Sequence, residues 1–365
     1  MNNQVIASVL NAHKHGGDLE AARRQFGKKR FLDLSININP WGPPLKLWLA
    51  LIGNLAKIRE YPQPGTTNGR EVLARFFECP DGQLVLGNGA AELIRHLPQV
   101  LPVRRAVVLA PTFAEYGQAF LAVGKPVVKI AMDSQFQLPL DQIAAVLQAG
   151  DLLFICQPNN PTGGMFSEIE LLRILELTKT KHSWLVIDES FLWFGGEIRK
   201  RSFHRYLKDY PNLLIINSLT KIGSIPGLRL GFMMAGSKWI NLMLGSLEHW
   251  NVNRLAQKVL PTILNPEFLE QTTKRLKKEN SWLKEQLKKI PGLQVYPWDT
   301  NFYLVKVVEP RFQAGELIHS LATAGVLVRD CSNFEGLGPE YFRAAVGKRR
   351  QNKLFLKKLR RLINP

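Results

Sequence analysis

The chain has 365 residues, 45% of them hydrophobic and 21% charged, enough to bury a sizeable core and to hold one large and one smaller domain. That balance excludes a disordered or fibrous chain, and three scattered cysteines, Cys79, Cys156 and Cys331, exclude a disulfide framework or a cysteine metal cluster and point to a reducing compartment. The formal net charge of +18 favours anionic partners without choosing among phosphorylated metabolites, nucleic acid and lipid.

The first 27 residues lack the basic start and apolar core of a secretory signal, and no later window reaches the length of a membrane-spanning run, so a cytoplasmic protein is expected. The proline-rich stretch from Ile38 to Pro44 reads as extended, crossing from a small domain toward a large one. Between about 83 and 235, short apolar runs alternate with helical stretches: QLVLGNG, RAVVLAPTF, PVVKIAM, LLFICQPNNPTG, WLVIDES, LLIINSLTK and LRLGFMMAG. That alternation predicts a mostly parallel sheet covered on both faces. After Gly236 come longer helices, then strand-like runs at 298–308, 325–330 and 341–347, which together predict a smaller α+β domain. The expected division is an N-terminal arm and part of the small domain over 1–48, a large domain over 49–250 and the rest of the small domain over 251–365. Leu276, Leu283, Leu287 and Ile290 recur at helical spacing in 273–290, which leaves the neighbouring lysines on a solvated face, and 348–363 reads as a second basic helix.

Polar and glycine residues gather where the apolar runs end, and in open α/β sheets that edge binds ligands. Four such motifs carry the chemistry. Gly87-Asn88-Gly89-Ala90-Ala91-Glu92 turns a strand into a helix and exposes backbone N–H groups suited to an anion, although a tight turn alone has the same look. Gln157 to Gly163 (QPNNPTG) cannot continue a strand through its prolines, so it presents Asn159 and Asn160 from a rigid loop. Trp184 to Asp188 is an apolar strand ending in a carboxylate, which must face a cation to be tolerated there. Lys221 follows the strand LLIIN and stands among Ser218, Thr220, glycines and Arg229, a poor surface segment but a good one for an amine that condenses with an aldehyde beside a phosphate.

Taken together, GNGAAE, APTFAEY, QPNNPTG, VIDES and SLTKIGSIPGLRLGF resemble the class I/II aminotransferases that use pyridoxal 5′-phosphate (PLP), over nearly the whole chain. The resemblance implies fold type I of the PLP-dependent transferases and a homodimer. It implies that Lys221 is the Schiff-base lysine, that Asp188 pairs the cofactor's ring nitrogen, that Asn160 bonds its 3-hydroxyl and that Phe113 stacks on its ring. Ser218, Thr220, Arg229 and the backbone at Gly89, Ala90 and Ala91 would hold the cofactor phosphate, with Tyr61 reaching in from a second subunit, and Arg343 would bind a substrate carboxylate. One departure stands out: the place of a tyrosine that bonds the cofactor 3-hydroxyl in many relatives is Phe191.

Within the family, HGGD (15–18), the segment from Leu34 to Gly42 and VRDCSNFEG (328–336) resemble the decarboxylating branch that acts on threonine phosphate and serves cobalamin synthesis, ahead of the histidinol-phosphate aminotransferases. His15, Asn39, Asn160, Arg329 and Asn333 are the corresponding substrate candidates, with His15 also readable as a surface histidine in an arm. A nucleic-acid-binding protein on this scaffold is the reading from another class. It lacks a spare helix-turn-helix segment or interleaved basic and aromatic residues, and an inactive relative would not need lysine, aspartate and arginine together.

Overall fold

The computed structural model describes residues 16–296, 300–309 and 313–363. The described residues form thirteen strands: β1 (Leu32–Asp33), β2 (Leu84–Gly87), β3 (Arg105–Ala110), β4 (Val127–Ala131), β5 (Asp151–Cys156), β6 (Trp184–Asp188), β7 (Leu213–Ser218), β8 (Gly231–Met234), β9 (Leu293–Val295), β10 (Phe302–Val307), β11 (Val326–Leu327), β12 (Arg329–Asp330) and β13 (Tyr341–Ala345). They divide between two compact units, one of Trp41–Asn160 and Gly164–Lys274, the other of the chain up to Pro40, Pro161–Gly163 and the chain from Arg275 onward.

The larger unit is built on a seven-stranded sheet of order β2-β8-β7-β6-β5-β3-β4, in which only β8 pairs antiparallel with its neighbours. Leu152, Leu153, Ile155, Leu213, Leu214, Ile215 and Ile216 are completely buried, as the continuous apolar runs of a sheet covered on both faces require. One covering helix begins at a reciprocal side-chain cap. Ser167 takes the N–H of Glu170 while the Glu170 carboxylate takes the N–H of Ser167, and Glu168–Thr180 follows directly. The helix Arg254–Ile263 packs on the helix Leu45–Asn54, so both belong to this unit.

The smaller unit contains an antiparallel sheet of order β12-β13-β10-β9 and the parallel pair β1-β11. The fold is thus the expected one, a mostly parallel central sheet with a smaller α+β part. The helix Pro266–Lys288 starts earlier than its apolar spacing alone indicates, because Pro266 serves as its first residue, and Leu276, Leu283 and Leu287 are buried as expected. No helix among the described residues is long and apolar enough to cross a membrane.

Candidate active site

All the strand-end motifs of the larger unit reach one edge of its sheet. The strand register fixes this: Cys156 stands opposite Asp188, and Gly231 at the start of β8 stands opposite both Gly87 and Ser218. A cavity at this edge is lined by Ala90, Ala91, Phe113, Tyr116, Cys156, Asn160, Asp188, Ser190, Phe191, Ser218, Thr220, Lys221 and Arg229. Residues as far apart in the chain as Ala90 and Arg229 meet there because the parallel strands present their carboxyl ends, and the antiparallel β8 its amino end, on the same side.

One end of the cavity suits a phosphate. Gly89 caps the helix Ala90–Val100 with φ 80° and no side-chain cap, so the first N–H groups of the helix stay open to an anion. A Cβ on Gly89 would stand 2.4 Å from Arg229 Nη2, so the missing side chain is what lets the guanidinium reach the helix start. Arg229 itself holds φ 55°, an uncommon backbone for arginine and one that marks a constrained position. Ser218 Oγ and Thr220 Oγ1 lie 2.7 Å apart, adding two hydroxyls from the end of β7.

The other end suits an aromatic ring. Asp188 is 4% exposed; its Oδ2 accepts from Tyr116 Oη at 2.7 Å and its Oδ1 from Ser190 N at 2.9 Å. Asn159 Nδ2 donates to Pro111 O at 2.9 Å and its Oδ1 accepts from Thr112 Oγ1 at 2.8 Å, which ties the loop carrying Asn160 to the loop carrying Phe113. Lys221 Nζ lies 5.1 Å from the centre of the Phe191 ring, so the residue in the tyrosine's place offers the amine an aromatic face. Burial and the Asp188 charge push the Cys156 thiol up to about 12, which keeps it a neutral group inside the cavity. Glu189, next to Asp188, is wholly buried and faces the other way; burial raises its carboxyl to about 7 against the opposing effect of Ser202, Phe203 N and Asn217.

Arg329, Asn333, Arg343 and Asn39 belong to the smaller unit. Arg329 and Arg343 are directly opposite each other across the β12-β13 ladder and are 8% and 7% exposed. Like charges in such a pair repel. Burial, joined by the charge of Arg329, pulls the Arg343 guanidinium down to about 10, and burial also lowers Arg329. Arg329 Nη2 donates to Asn333 Oδ1 at 2.7 Å, and Arg343 Nη2 to Ser35 O at 3.0 Å. Asn39 is 1% exposed, and nearby in sequence Asn37 buries both polar atoms of its amide with no hydrogen-bond partner. His15 lies outside the described residues.

Tyr61 is exposed and stacked on Trp250, ring centres 4.2 Å apart, and is not among the residues that line the cavity. Sequence reasoning missed Tyr116, Cys156 and Ser190 as lining residues. The signal for Tyr116 was its spacing, one helical turn after Phe113 within APTFAEY.

The profile of the family Aminotransferase class I and II matches residues 29–359. The chain is 33% identical over 355 residues to threonine-phosphate decarboxylase of Salmonella typhimurium, covering 96% of each. It is 32% identical over 336 residues to a histidinol-phosphate aminotransferase of Nitrosococcus oceani, covering 90% of each. The crystal structure of L-threonine-O-3-phosphate decarboxylase from Porphyromonas gingivalis superposes with a TM-score of 0.80 at 26% identity, over 92% of this chain and 99% of that one. A phosphate cradle that a Cβ would fill, a buried carboxylate and a strand-end lysine in one cavity fit PLP, and the chain is a PLP-dependent enzyme that belongs to the class I and II aminotransferase family.

Proposed function

We propose that this enzyme decarboxylates L-threonine O-3-phosphate, releasing CO₂ and leaving (R)-1-aminopropan-2-yl phosphate for cobalamin biosynthesis. The observation that carries the reading is the arginine pair of β12 and β13, two buried cations set opposite each other, which suit a ligand with two anionic ends. A phosphorylated amino acid has two such ends. The Salmonella relative and the segments HGGD, SININPWGP and VRDCSNFEG support the same substrate.

Pyridoxal phosphate, when bound, supplies a conjugated sink for the electron pair left by a broken bond to Cα. Lys221 Nζ would join its aldehyde carbon, Asp188 its ring nitrogen, Asn160 its 3-hydroxyl and Phe113 its ring face. Ser218, Thr220, Arg229 and the N–H groups of Ala90 and Ala91 would hold its phosphate, while Gly89, whose N–H donates to Gly87 O at 2.7 Å, would shape the turn beside it. The residues that orient the substrate would choose the reaction. Arg343 would take the carboxylate and fix its orientation, while Arg329 with Asn333, joined by His15, would take the substrate phosphate and exclude plain threonine. Asn39 would position the same substrate, and Lys221 Nζ would return a proton to Cα once CO₂ has gone.

Two copies of the chain would form the working enzyme. Leu45, Leu49, Ile52, Leu55, Ile58 and Tyr61 are all more than half exposed on one helix and the segment after it, a face that a second copy would cover. In that arrangement Tyr61 would complete the partner's phosphate cradle.

The Nitrosococcus relative favours a second reading, transamination of histidinol phosphate with 2-oxoglutarate. Product analysis separates the two. CO₂ from threonine phosphate without any keto acid is the expected result, and glutamate formed from 2-oxoglutarate and histidinol phosphate, with threonine phosphate untouched, would refute the decarboxylase.

A further inference from the structure

Tyr116 lies on the helix Glu115–Leu121 and is completely buried. Its ring stacks on Phe154 of β5, centres 4.9 Å apart at 12°, and meets Phe113 edge-on at 5.5 Å and 82°. Its hydroxyl donates to Asp188 Oδ2 at 2.7 Å. One side chain therefore touches both the aromatic ring and the carboxylate that line the ring end of the cavity. A phenylalanine would fill the same space among Phe154, Phe120 and Phe113, so packing alone does not call for the hydroxyl.

The carboxylate does call for it. Asp188 ends β6 among apolar neighbours, where a charge unsupported by donors is costly. Tyr116 Oη fixes one oxygen and Ser190 N the other, so rotation about Cβ–Cγ would break both bonds, and the carboxylate so held lines the cavity. Burial first, then the Asp188 charge, push the Tyr116 hydroxyl well above its usual range, so at any working pH it donates and never competes as an anion.

We infer that Tyr116 is a positioning residue of the cofactor site, acting through Asp188 to keep that carboxylate turned toward the cofactor's ring nitrogen. The inference rests on the proposed role of Asp188, and its test separates the two. Apoenzyme is titrated with pyridoxal phosphate in four forms: wild type, Tyr116→Phe, Asp188→Asn and the double variant. The pH dependence of the bound cofactor's visible absorbance is recorded for each. Tyr116→Phe is expected to weaken cofactor binding about tenfold in the wild-type background and less than about twofold in the Asp188→Asn background, because its target is then gone. The absorbance titration should shift on Tyr116→Phe and coincide between Asp188→Asn and the double variant. Equal loss in both backgrounds, or none in either, overturns the inference. If Asp188→Asn leaves affinity and absorbance unchanged, the role of Asp188 falls and takes that of Tyr116 with it. An effect of Asp188→Asn without one of Tyr116→Phe removes Tyr116 alone. Should Tyr116→Phe lower the thermal midpoint of the apoenzyme enough to blur the titration, 3-fluorotyrosine at position 116 keeps the shape and strengthens the donor. That substitution must then move the absorbance titration away from the wild-type curve on the side opposite to the Asp188→Asn curve, and no movement overturns the inference.

Discussion

Replacing Gly89 by alanine tests the phosphate cradle at its tightest point. The residue sits at φ 80°, ψ 163°, a conformation nearly reserved to glycine, and the new Cβ would stand 2.4 Å from Arg229 Nη2. The guanidinium is the far end of a flexible side chain, so it moves and the backbone stays. Losing the charge-assisted bond proposed between it and the cofactor phosphate would cost about 1.5–3 kcal/mol, roughly ten- to a hundredfold in affinity, while the strained backbone costs about 1–3 kcal/mol of stability. Gly231→Ala is the contrasting change. Its Cβ would meet main-chain atoms, Ala90 N at 2.5 Å, Gly89 C at 2.8 Å and Asn217 O at 2.9 Å, none of which can swing aside. Fluorescence titration of each apoenzyme with pyridoxal phosphate, alongside thermal unfolding, gives both quantities. Gly89→Ala should fold and bind at least about tenfold more weakly, and Gly231→Ala should lose most of its folded population. Wild-type affinity in a folded Gly89→Ala protein would show that Arg229 and the helix start do not share the phosphate.

Borohydride reduction of the holoenzyme followed by peptide mapping should place the cofactor on Lys221, and label on any other lysine sinks the assignment. Arg329→Ala should lower kcat/KM for threonine phosphate by roughly ten- to a hundredfold while cofactor affinity stays near wild type; an equal loss of both would mean that Arg329 does not select the substrate. The buried Glu189 carboxyl has a folded value raised to about 7 from 4.5, so protonation favours the folded state. Its contribution to stability is present below the lower value and fades as pH rises through the upper one, by about 3 kcal/mol in all. Relative to Glu189→Gln, the wild-type urea midpoint should therefore fall between about pH 4.5 and 8, and parallel pH profiles would refute the raised value. Ile52→Lys should shift the protein toward monomer in sedimentation and reduce cofactor affinity with it, since Tyr61 would no longer reach a partner; a fully active monomer contradicts the pairing.

The larger sheet was legible because buried parallel strands leave unbroken apolar runs, and several of those runs end in the residues that line the cavity. Asn160, Asp188, Ser218 and Lys221 were found this way. Tyr116 was not, since a tyrosine in an apolar helix reads as core, and its bond to Asp188 spans 72 positions, which the pairing of β3 with β5 and of β5 with β6 brings together. The opposition of Arg329 and Arg343 was hidden for the same reason, being set by the β12-β13 ladder and not by spacing. The start of the Pro266–Lys288 helix was missed because the apolar period was read without its proline.

The cavity draws its walls from residues between Ala90 and Arg229, and β8, the strand that closes the sheet between β2 and β7, comes later in the chain than every lining residue. No partial chain ending before β8 can present the helix start beside Arg229. Such long-range closure is slow to form, and the cofactor site is a product of the finished sheet. Ligand that binds only the finished sheet adds to its stability by mass action, about 2.7 kcal/mol at a hundredfold excess over Kd. During synthesis in the cell, vitamin B6 supply should therefore set how much newly made chain survives proteolysis, before it sets how much of it turns over substrate.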